Sequence, residues 1–255
     1  MKTILINKLL CITPLQAIRR LQSLNPELEG EKIGYAGRLD PMAEGLLLLL
    51  IGDENKKRKE YEQLPKTYDF EVLLGIETDS YDVLGLIQRV TNASNLHDID
   101  KKIKSILLSY IGSWEQPYPP YSAARVKGKS LYYWAREGKI DQVTIPRKKI
   151  SISSLELNKV TTVNLSDIFP DIVTRIQSVD GEFRQKEILS RWEEIITNNP
   201  NLKLIKLTLM ISCSSGTYVR GIAHQIGQKL GVGGIAYTIK RIKVGPYKLV
   251  DALMI

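Results

Sequence analysis

Six consecutive apolar residues, Leu46 to Ile51, are the feature that most constrains how this chain can fold. The run consists of five leucines and one isoleucine, carries no charge, and lies between Gly45 and Gly52. It is too short for an isolated helix. A short, continuous apolar run is typical of a strand covered on both faces. The run therefore predicts a strand buried within a sheet that has packing layers on both sides.

The loop before this strand carries a lone carboxylate, Asp40, followed by a proline. Gly34, Gly37 and Gly45 allow the backbone there to approach a ligand closely. An Asp-Pro pair is also common in ordinary turns. Here, however, the acid lies on a loop beside a rigid buried strand, which is how a scaffold positions one reactive group. Asp40 is therefore a candidate nucleophile or base.

Other segments show the periodicities of helices and strands. Residues 66–75 alternate in the manner of a strand, and Tyr68 lies on the apolar face of that pattern. Residues 13–24 begin with Thr-Pro and predict a helix whose apolar face contains Leu15, Ile18 and Leu21. We expect further strands over 86–90, 148–163, 202–214 and within 239–253, and helices over 98–112, 183–197 and 216–230. The mostly polar stretch 164–201, which contains the helix over 183–197, predicts a surface insertion.

Composition excludes several classes of protein. The chain has 255 residues and only two cysteines and two histidines, His97 and His224, too few for a disulfide framework or a Cys/His metal site. No apolar stretch approaches the ~20 residues of a membrane span, and no signal peptide is recognisable. We therefore expect a cytoplasmic protein with no metal and no membrane contact. The excess of 36 basic over 28 acidic residues, a net charge of +8, favours a polyanionic partner such as nucleic acid.

Arg220 is the second candidate site residue. In C-S-S-G-T-Y-V-R, residues 213–220, a strand ends and a helix begins, which predicts that Arg220 lies in the first turns of the helix. An ionised carboxylate in an apolar pocket needs a cationic partner, and the guanidinium fork can bind a carboxylate or a phosphate. A helix-surface arginine is the alternative interpretation.

Basic and aromatic side chains alternate through the middle and the end of the chain. Aromatic rings can stack on extruded bases, and cations can bind phosphates, so these residues fit an RNA-binding face. Solvated surface charge is the alternative for each basic group. The basic groups are Lys56–Lys59, Arg125, Lys127, Lys129, Arg147–Lys149, Lys240, Arg241 and Lys243, and the aromatic residues are Tyr118, Tyr121, Tyr132, Tyr133 and Trp134.

Four segments, in this order, resemble motifs of the TruB-type tRNA pseudouridine synthases. G-Y-A-G-R-L-D-P-M-A-E-G-L-L resembles that family's catalytic-aspartate motif, G-H-T-G-x-L-D-P-x-A-x-G-x-L. K-T-Y is similar to its tyrosine strand, P-P-Y-S-A-A-R-V-K-G-K-S-L-Y-Y-W-A-R-E-G to its RNA-gripping thumb, and S-S-G-T-Y-V-R-G-I-A-H-Q-I-G-Q-K-L-G to its arginine motif. The matching segments extend from about residue 31 to the C-terminus, apart from 164–201.

The resemblance implies a pseudouridine synthase fold of the α+β class, with a mixed, largely antiparallel sheet flanked by helices and a central RNA-binding cleft. It implies isomerisation of the T-loop uridine, uridine-55, after the base has been flipped out, by a monomer that needs no cofactor. Asp40 would be the catalytic acid and Arg220 its partner, and Tyr68, the third catalytic residue, would stack on the base and could move protons. The residues expected to bind tRNA are Tyr35, Tyr218, Ile239, Arg125, Lys127, Lys129, Lys240 and Arg241.

The chain also departs from the family pattern. Tyr35 and Ala36 replace the histidine and threonine of the aspartate motif, and D-K-P-x-G-x-T-S is reduced to N-K-L-L-C-I-T-P. We expect one catalytic domain over 1–255, with a thumb-like segment at about 118–149, the insertion at about 164–201, and no C-terminal PUA domain. A non-catalytic RNA-binding or tRNA-folding protein, and a synthase that acts on another RNA, are the alternatives.

Overall fold

The computed structural model describes residues 3–93 and 99–255. His97 and Asp98, the latter being the first residue of the helix predicted over 98–112, lie outside the described residues. Within the described ranges, the strands are β1 Thr3–Lys8, β2 Ile33–Ala36, β3 Glu44–Ile51, β4 Lys66–Leu74, β5 Ile76–Thr78, β6 Ile87–Val90, β7 Gly112–Pro117, β8 Arg125–Val126, β9 Lys129–Ser130, β10 Arg147–Asn164, β11 Lys203–Cys213, β12 Gly234–Val244, β13 Tyr247–Lys248 and β14 Leu253–Met254. The α-helices are α1 Pro14–Leu24, α2 Arg58–Gln63, α3 Ile99–Leu108, α4 Leu131–Arg136, α5 Leu165–Ser178, α6 Gln185–Asn198 and α7 Val219–Lys229.

One large mixed sheet organises the molecule. Its strands follow the order β14-β1-β3-β12-β4-β11-β10-β7, with β2 paired to β3 and β13 paired to β12. The pairs β1–β14 and β3–β12 are parallel, and the other pairs in this sheet are antiparallel. The structure thus confirms the expected α+β class and the largely antiparallel sheet.

The leucine run forms β3, and the prediction that it is buried on both faces is confirmed. All five leucines have zero solvent exposure. Leu47 and Leu49 join the main core cluster with α1 and α7, whereas Leu46, Leu48 and Leu50 pack on the opposite face. Side chains alternate across a strand, so an unbroken apolar run can supply two separate cores.

The first helix begins as the sequence predicts, but one residue of its expected apolar face is wrong. Thr13 caps α1, and its hydroxyl oxygen accepts a hydrogen bond from the backbone N–H of Gln16. The backbone N–H of Thr13 donates in turn to Gln16 Oε1, which completes a capping box. Leu15 is 52% exposed, because the buried face of the helix is formed by Ala17, Ile18 and Leu21.

The segment 164–201 contains two helices, whereas the sequence predicted one. The helix predicted over 183–197 is α6, and α5 precedes it. Neither is a purely surface element: Ile172, Ile176, Ile188 and Trp192 have zero exposure in a second core cluster against the opposite face of the sheet. The composition is polar because each helix buries only one stripe of its surface.

None of the helices in the described residues is long and apolar enough to cross a membrane.

Candidate active site

A cleft of about 1090 Å³ opens above the central strands β4 and β12. Tyr68 on β4 and Ile239 on β12 form part of its floor, and both are almost fully buried. Asp40 enters from the loop before β3, and Arg220 from the first turn of α7. These four residues come from four distant segments, and the fold brings them to one cavity.

Arg220 holds the Asp40 side chain. Its Nε donates a 2.9 Å hydrogen bond to Asp40 Oδ2, and the arginine side chain is only 4% exposed. Its Nη1 donates to the Ser80 carbonyl at 2.7 Å, and its Nη2 donates to the Tyr121 carbonyl at 2.8 Å. A guanidinium bound at all three nitrogens has a fixed orientation, so the carboxylate that it contacts is fixed as well. Asp40 itself is about one-third exposed, so that a ligand in the cleft can reach it.

Arg241 supports the loop that carries Asp40 and also lines the cleft, and its expected contact with RNA stays a prediction. Its exposed fraction is 1%. Nε donates to the Leu46 carbonyl at 2.7 Å and Nη2 to the Gly37 carbonyl at 3.0 Å, so the start of the loop and the strand that follows it are bound to one side chain. The sequence suggested a surface cation because Arg241 lies next to exposed lysines. In β12, however, its side chain lies on the same face of the sheet as Ile239, beneath the cleft, and it is buried there.

Gly45 explains how the loop and β12 approach so closely. Its φ is +103°, and a Cβ there would lie 2.4 Å from the Arg241 carbonyl oxygen. Only glycine fits this position without displacing the backbone. The sequence indicated a close approach at Gly45, and the partner in the structure is β12 of the same chain.

Tyr68 presents its ring to the cleft from within the sheet. It lies opposite Arg241 in the β4–β12 register. Burial raises the pKa of the Tyr68 phenol, so the hydroxyl stays protonated at neutral pH. A neutral aromatic ring beside the apolar side chain of Ile239 forms a surface on which a planar base could stack.

Tyr218 is held by a residue that the sequence did not reveal. Gln116, at the end of β7, accepts a hydrogen bond from the Tyr218 backbone N–H at 2.9 Å and donates one to its carbonyl at 3.0 Å. The Tyr218 ring packs edge-on against Tyr118, with 5.6 Å between the ring centroids. The two rings form one wall of the cleft, close to the Arg220 guanidinium.

Asp82 is a second carboxyl group in the cleft, and sequence analysis missed it. It accepts hydrogen bonds from Ser80 Oγ at 2.6 Å and from the backbone N–H of Leu84 at 3.0 Å. Burial raises the pKa of Asp82 to about 6, against the opposing effect of the Arg220 charge. The T-D-S-Y-D stretch was interpreted only as a turn, and nothing local in it indicates which acid faces the cleft.

The predicted cationic residues divide between the cleft and its surroundings. Arg125 and Lys129 line the cleft, and Lys129 Nζ lies 4.0 Å from the centroid of the Tyr133 ring. Lys127 lies outside the lining, in the turn between β8 and β9. Lys240 also lies outside it, with its Nζ 3.3 Å from a Glu44 carboxylate oxygen.

Tyr35 also lies outside the cleft lining. It is on β2, partly buried against the main core, and the Arg58 guanidinium lies 5.2 Å from the centroid of its ring. Its expected contact with RNA therefore stays a prediction.

Lys66 is a buried cation in the cleft that sequence analysis did not single out. Its exposed fraction is 4%, and its Nζ donates to the carbonyls of Glu62 and Leu64. Burial lowers the pKa of Lys66 to about 8. Three residues from the turn between α5 and α6, also unexpected in the cleft, contribute to its wall: Glu182, Phe183 and Arg184.

Within residues 3–93 and 99–255, no group of three or more His, Cys, Asp or Glu side chains could hold a metal ion. The cleft displays an accessible carboxylate oriented by a buried arginine, a second, buried carboxyl group at Asp82, a protonated phenol and a rim of cations. This set suits a reaction on a planar, polyanionic ligand.

Residues 25–182 match the family model described as TruB family pseudouridylate synthase (N terminal domain). The chain is 30% identical over 250 residues to tRNA pseudouridine synthase B of Aquifex aeolicus, covering 98% of this chain and 70% of that protein. It is 28% identical over 233 residues to tRNA pseudouridine synthase B of Thermotoga maritima, covering 91% of this chain and 60% of that protein.

A similar fold occurs in solved structures. A chain of a Cbf5-Nop10-Gar1 complex superposes with a TM-score of 0.60 at 16% identity, covering 100% of this chain and 52% of that one. A chain of an H/ACA RNP bound to a substrate RNA containing 2′-deoxyuridine gives a TM-score of 0.57 at 15% identity, covering 99% and 50%. The present chain thus spans about half the length of these structural relatives and 60% to 70% of the two curated ones.

Proposed function

Because this chain belongs to the TruB family of pseudouridylate synthases, we propose that it isomerises the T-loop uridine of tRNA, uridine-55, to pseudouridine. The curated relatives are named as tRNA pseudouridine synthases, which supports tRNA as the substrate. The specific uridine rests on the resemblance of the sequence motifs.

The observation that carries this proposal is the contact between Asp40 and Arg220 in the cleft. Burying an arginine costs free energy unless its donors are satisfied. Here one donor is bound to a carboxylate that remains accessible to a ligand, at 2.9 Å. A protein that only binds RNA gains nothing from an acid facing phosphates, since the two repel each other. An oriented, accessible carboxylate instead favours chemistry at this position.

The reaction breaks the N1–C1′ glycosidic bond, rotates the uracil, and joins C5 to C1′. The proton on C5 leaves to water and N1 gains one, so the product is an isomer and no external oxidant or reductant is needed. The uridine must first be flipped out of the T-loop to reach the floor of the cleft. Tyr68 would stack on the base, and Ile239 would exclude water from the detached uracil.

Asp40 acts in this scheme as the nucleophile or base, and Arg220 sets its orientation. Attack on C1′, attack on C6, and proton abstraction that forms a glycal are all compatible with a carboxylate at this position. Each route depends on how precisely Arg220 holds Asp40, because a displacement of about 1 Å is enough to lower a rate a hundredfold.

The RNA backbone would be bound at the rim of the cleft. Arg125 and Lys129 lie on the thumb-like segment at this rim, and Lys127 and Lys240 lie farther out. On duplex nucleic acid, each phosphate that a cation neutralises adds about −0.9 to the slope of log affinity against log salt concentration. Two to four such contacts predict a slope of roughly −2 to −4 for the T-arm.

The proposal is tested with a tRNA transcript tritiated at C5 of uridine. The wild-type protein should release tritium, in an amount that approaches one equivalent per tRNA. A transcript whose T-loop uridine is replaced by cytidine should release none. Asp40→Asn should abolish release while tRNA binding persists, because the variant keeps the shape of the side chain and removes its charge.

Two results would contradict this assignment. Tight tRNA binding by the wild type without any tritium release would favour a tRNA-binding or tRNA-folding protein. Undiminished release from the cytidine-substituted transcript would keep the enzyme class but place the reaction at another uridine.

A further inference from the structure

Arg184 lies in the turn between α5 and α6 and points toward the cleft. It precedes α6 directly, with φ of +64°. Its guanidinium binds both oxygens of the Asp79 carboxylate, through Nη1–Oδ2 at 2.9 Å and Nη2–Oδ1 at 3.2 Å. The two side chains are 20% and 21% exposed. A two-point contact of this kind fixes direction as well as distance.

Tyr121, on the thumb-like segment, completes this arrangement. Its hydroxyl donates to Asp79 Oδ2 at 3.1 Å, and the Arg184 guanidinium carbon lies 4.6 Å from the centroid of its ring. Asp79 Oδ1 also accepts a bond from the backbone N–H of Leu86 at 2.9 Å. The turn between α5 and α6, the turn after β5 and the thumb-like segment therefore meet at the ion pair between Arg184 and Asp79.

The same two segments hold Arg220. The Tyr121 carbonyl accepts from Arg220 Nη2, and the carbonyl of Ser80, the residue after Asp79, accepts from Nη1. The two carbonyls that hold Arg220 therefore belong to Tyr121, whose ring Arg184 contacts, and to Ser80, which follows the Asp79 that Arg184 binds. A shift of either segment would rotate the guanidinium, and with it the Asp40 carboxylate.

We propose that Arg184 is a positioning residue for the reaction, which it supports through Asp79 and Tyr121 by fixing Arg220 against Asp40. This inference rests on the proposed function. Arg184 is poorly placed to bind phosphate, because both of its terminal nitrogens are bound to Asp79 and most of its side chain is buried. The segment 164–201, which lies outside the four motifs that resemble the family, would thereby become part of the support of the active site.

The test compares Arg184→Gln and Arg184→Lys with Arg191→Gln as the matched control. Arg191 is on the same helical segment and is paired with Glu194, so its replacement removes one charge without touching the Asp79–Tyr121 contacts. The assay is single-turnover tritium release at saturating tRNA, together with the dependence of the rate on tRNA concentration. Thermal melting of each variant confirms that the fold is retained.

Arg184→Gln should lower the maximal rate by about 10- to 100-fold. It should change the tRNA concentration at half-maximal rate by less than about twofold, because the variant loses the orientation of Asp40 and not the binding of tRNA. Arg184→Lys should fall between the wild type and Arg184→Gln, because an ammonium keeps the charge but cannot bind both oxygens or stack on the ring. Arg191→Gln should stay within about twofold of the wild type in both parameters.

A raised half-saturation with an unchanged maximal rate, or a salt slope weakened by about one unit, would make Arg184 an RNA contact and overturn the proposal. A rate for Arg184→Lys equal to that of the wild type would likewise overturn it, because charge alone would then suffice. Should the wild type release no tritium, the proposed function fails separately. The positioning role is then decided by a crystal structure of Arg184→Gln, in which an unchanged contact between Arg220 Nε and Asp40 Oδ2 would refute it.

Discussion

Replacement of Arg241 by methionine tests whether this residue is a buried support of the Asp40 loop or a ligand of RNA. Methionine has a similar length and no hydrogen-bond donors, so Arg241→Met preserves much of the packing while it removes the contacts to the loop. Two of these contacts are short, to the Leu46 carbonyl at 2.7 Å and the Gly37 carbonyl at 3.0 Å. The third, to the Arg38 carbonyl at 3.5 Å, is at the limit of hydrogen bonding.

The magnitude follows from the two short contacts. A hydrogen bond from a charged donor contributes about 1.5–3 kcal/mol, and a buried carbonyl left without a partner costs a similar amount. Part of this lost free energy is offset, because the variant no longer has the desolvation cost of a buried guanidinium. We expect a net loss of about 3 kcal/mol, which for a chain of this size lowers the melting temperature by roughly 6–12 °C.

Urea unfolding followed by circular dichroism measures this change, with Lys240→Met as the control. Lys240 is the neighbouring residue on β12, but its side chain is 43% exposed and its partner Glu44 is 35% exposed. An exposed pair of this kind contributes at most about 1 kcal/mol. If the free energy of unfolding of Arg241→Met is within about 1 kcal/mol of the wild-type value, and its slope against urea concentration is unchanged, the assignment of Arg241 as a structural support is wrong.

Three further predictions concern the cleft and its rim. Arg220→Lys should reduce single-turnover release by about 100-fold, because the single nitrogen of lysine cannot reach the three acceptors that the guanidinium fork spans; a near-normal rate would show that the fork is dispensable. The pKa of Asp82 is raised by burial from 3.8 to about 6, so its contribution to stability is complete below about pH 4 and is lost as pH rises through 6. Urea unfolding between pH 4 and 7 should therefore show the wild type losing about 2 kcal/mol relative to Asp82→Asn over this range, whereas parallel pH curves would contradict the shift. Lys127 and Gly128 both have positive φ, at 50° and 77°, in the turn between β8 and β9. Asparagine tolerates that conformation better than lysine, so Lys127→Asn should raise the free energy of unfolding by about 0.5 kcal/mol, and a lower value than that of the wild type would count against the turn assignment.

The sequence by itself determined those strands and helices whose signals lie within a few neighbouring residues. The uncharged run at β3 specified a doubly buried strand, since no exposed face could accommodate so many leucines. Thr13 and Pro14 specified the start of α1, and the periodicity after Gly216 specified α7 with Arg220 in its first turn. These features depend on backbone geometry and on side-chain period, which neighbouring residues set.

Motif resemblance, in contrast, was needed to pair Asp40 with Arg220. The two residues are 180 positions apart, and nothing in either segment by itself identifies the other as its partner. The structure places them in contact, as the resemblance implied, but it also adds Asp82 and Gln116, which no local pattern distinguished from ordinary polar residues.

Only the tertiary structure reveals the partners of Arg241 and Arg184. Both are arginines in polar surroundings along the chain, and the sequence places such residues at the surface because burying an unpaired charge is costly. The fold removes that cost with acceptors from distant segments: loop carbonyls for Arg241 and the Asp79 carboxylate for Arg184. Whether a charged side chain is buried thus depends on partners that become its neighbours only when the sheet and its flanking helices have assembled.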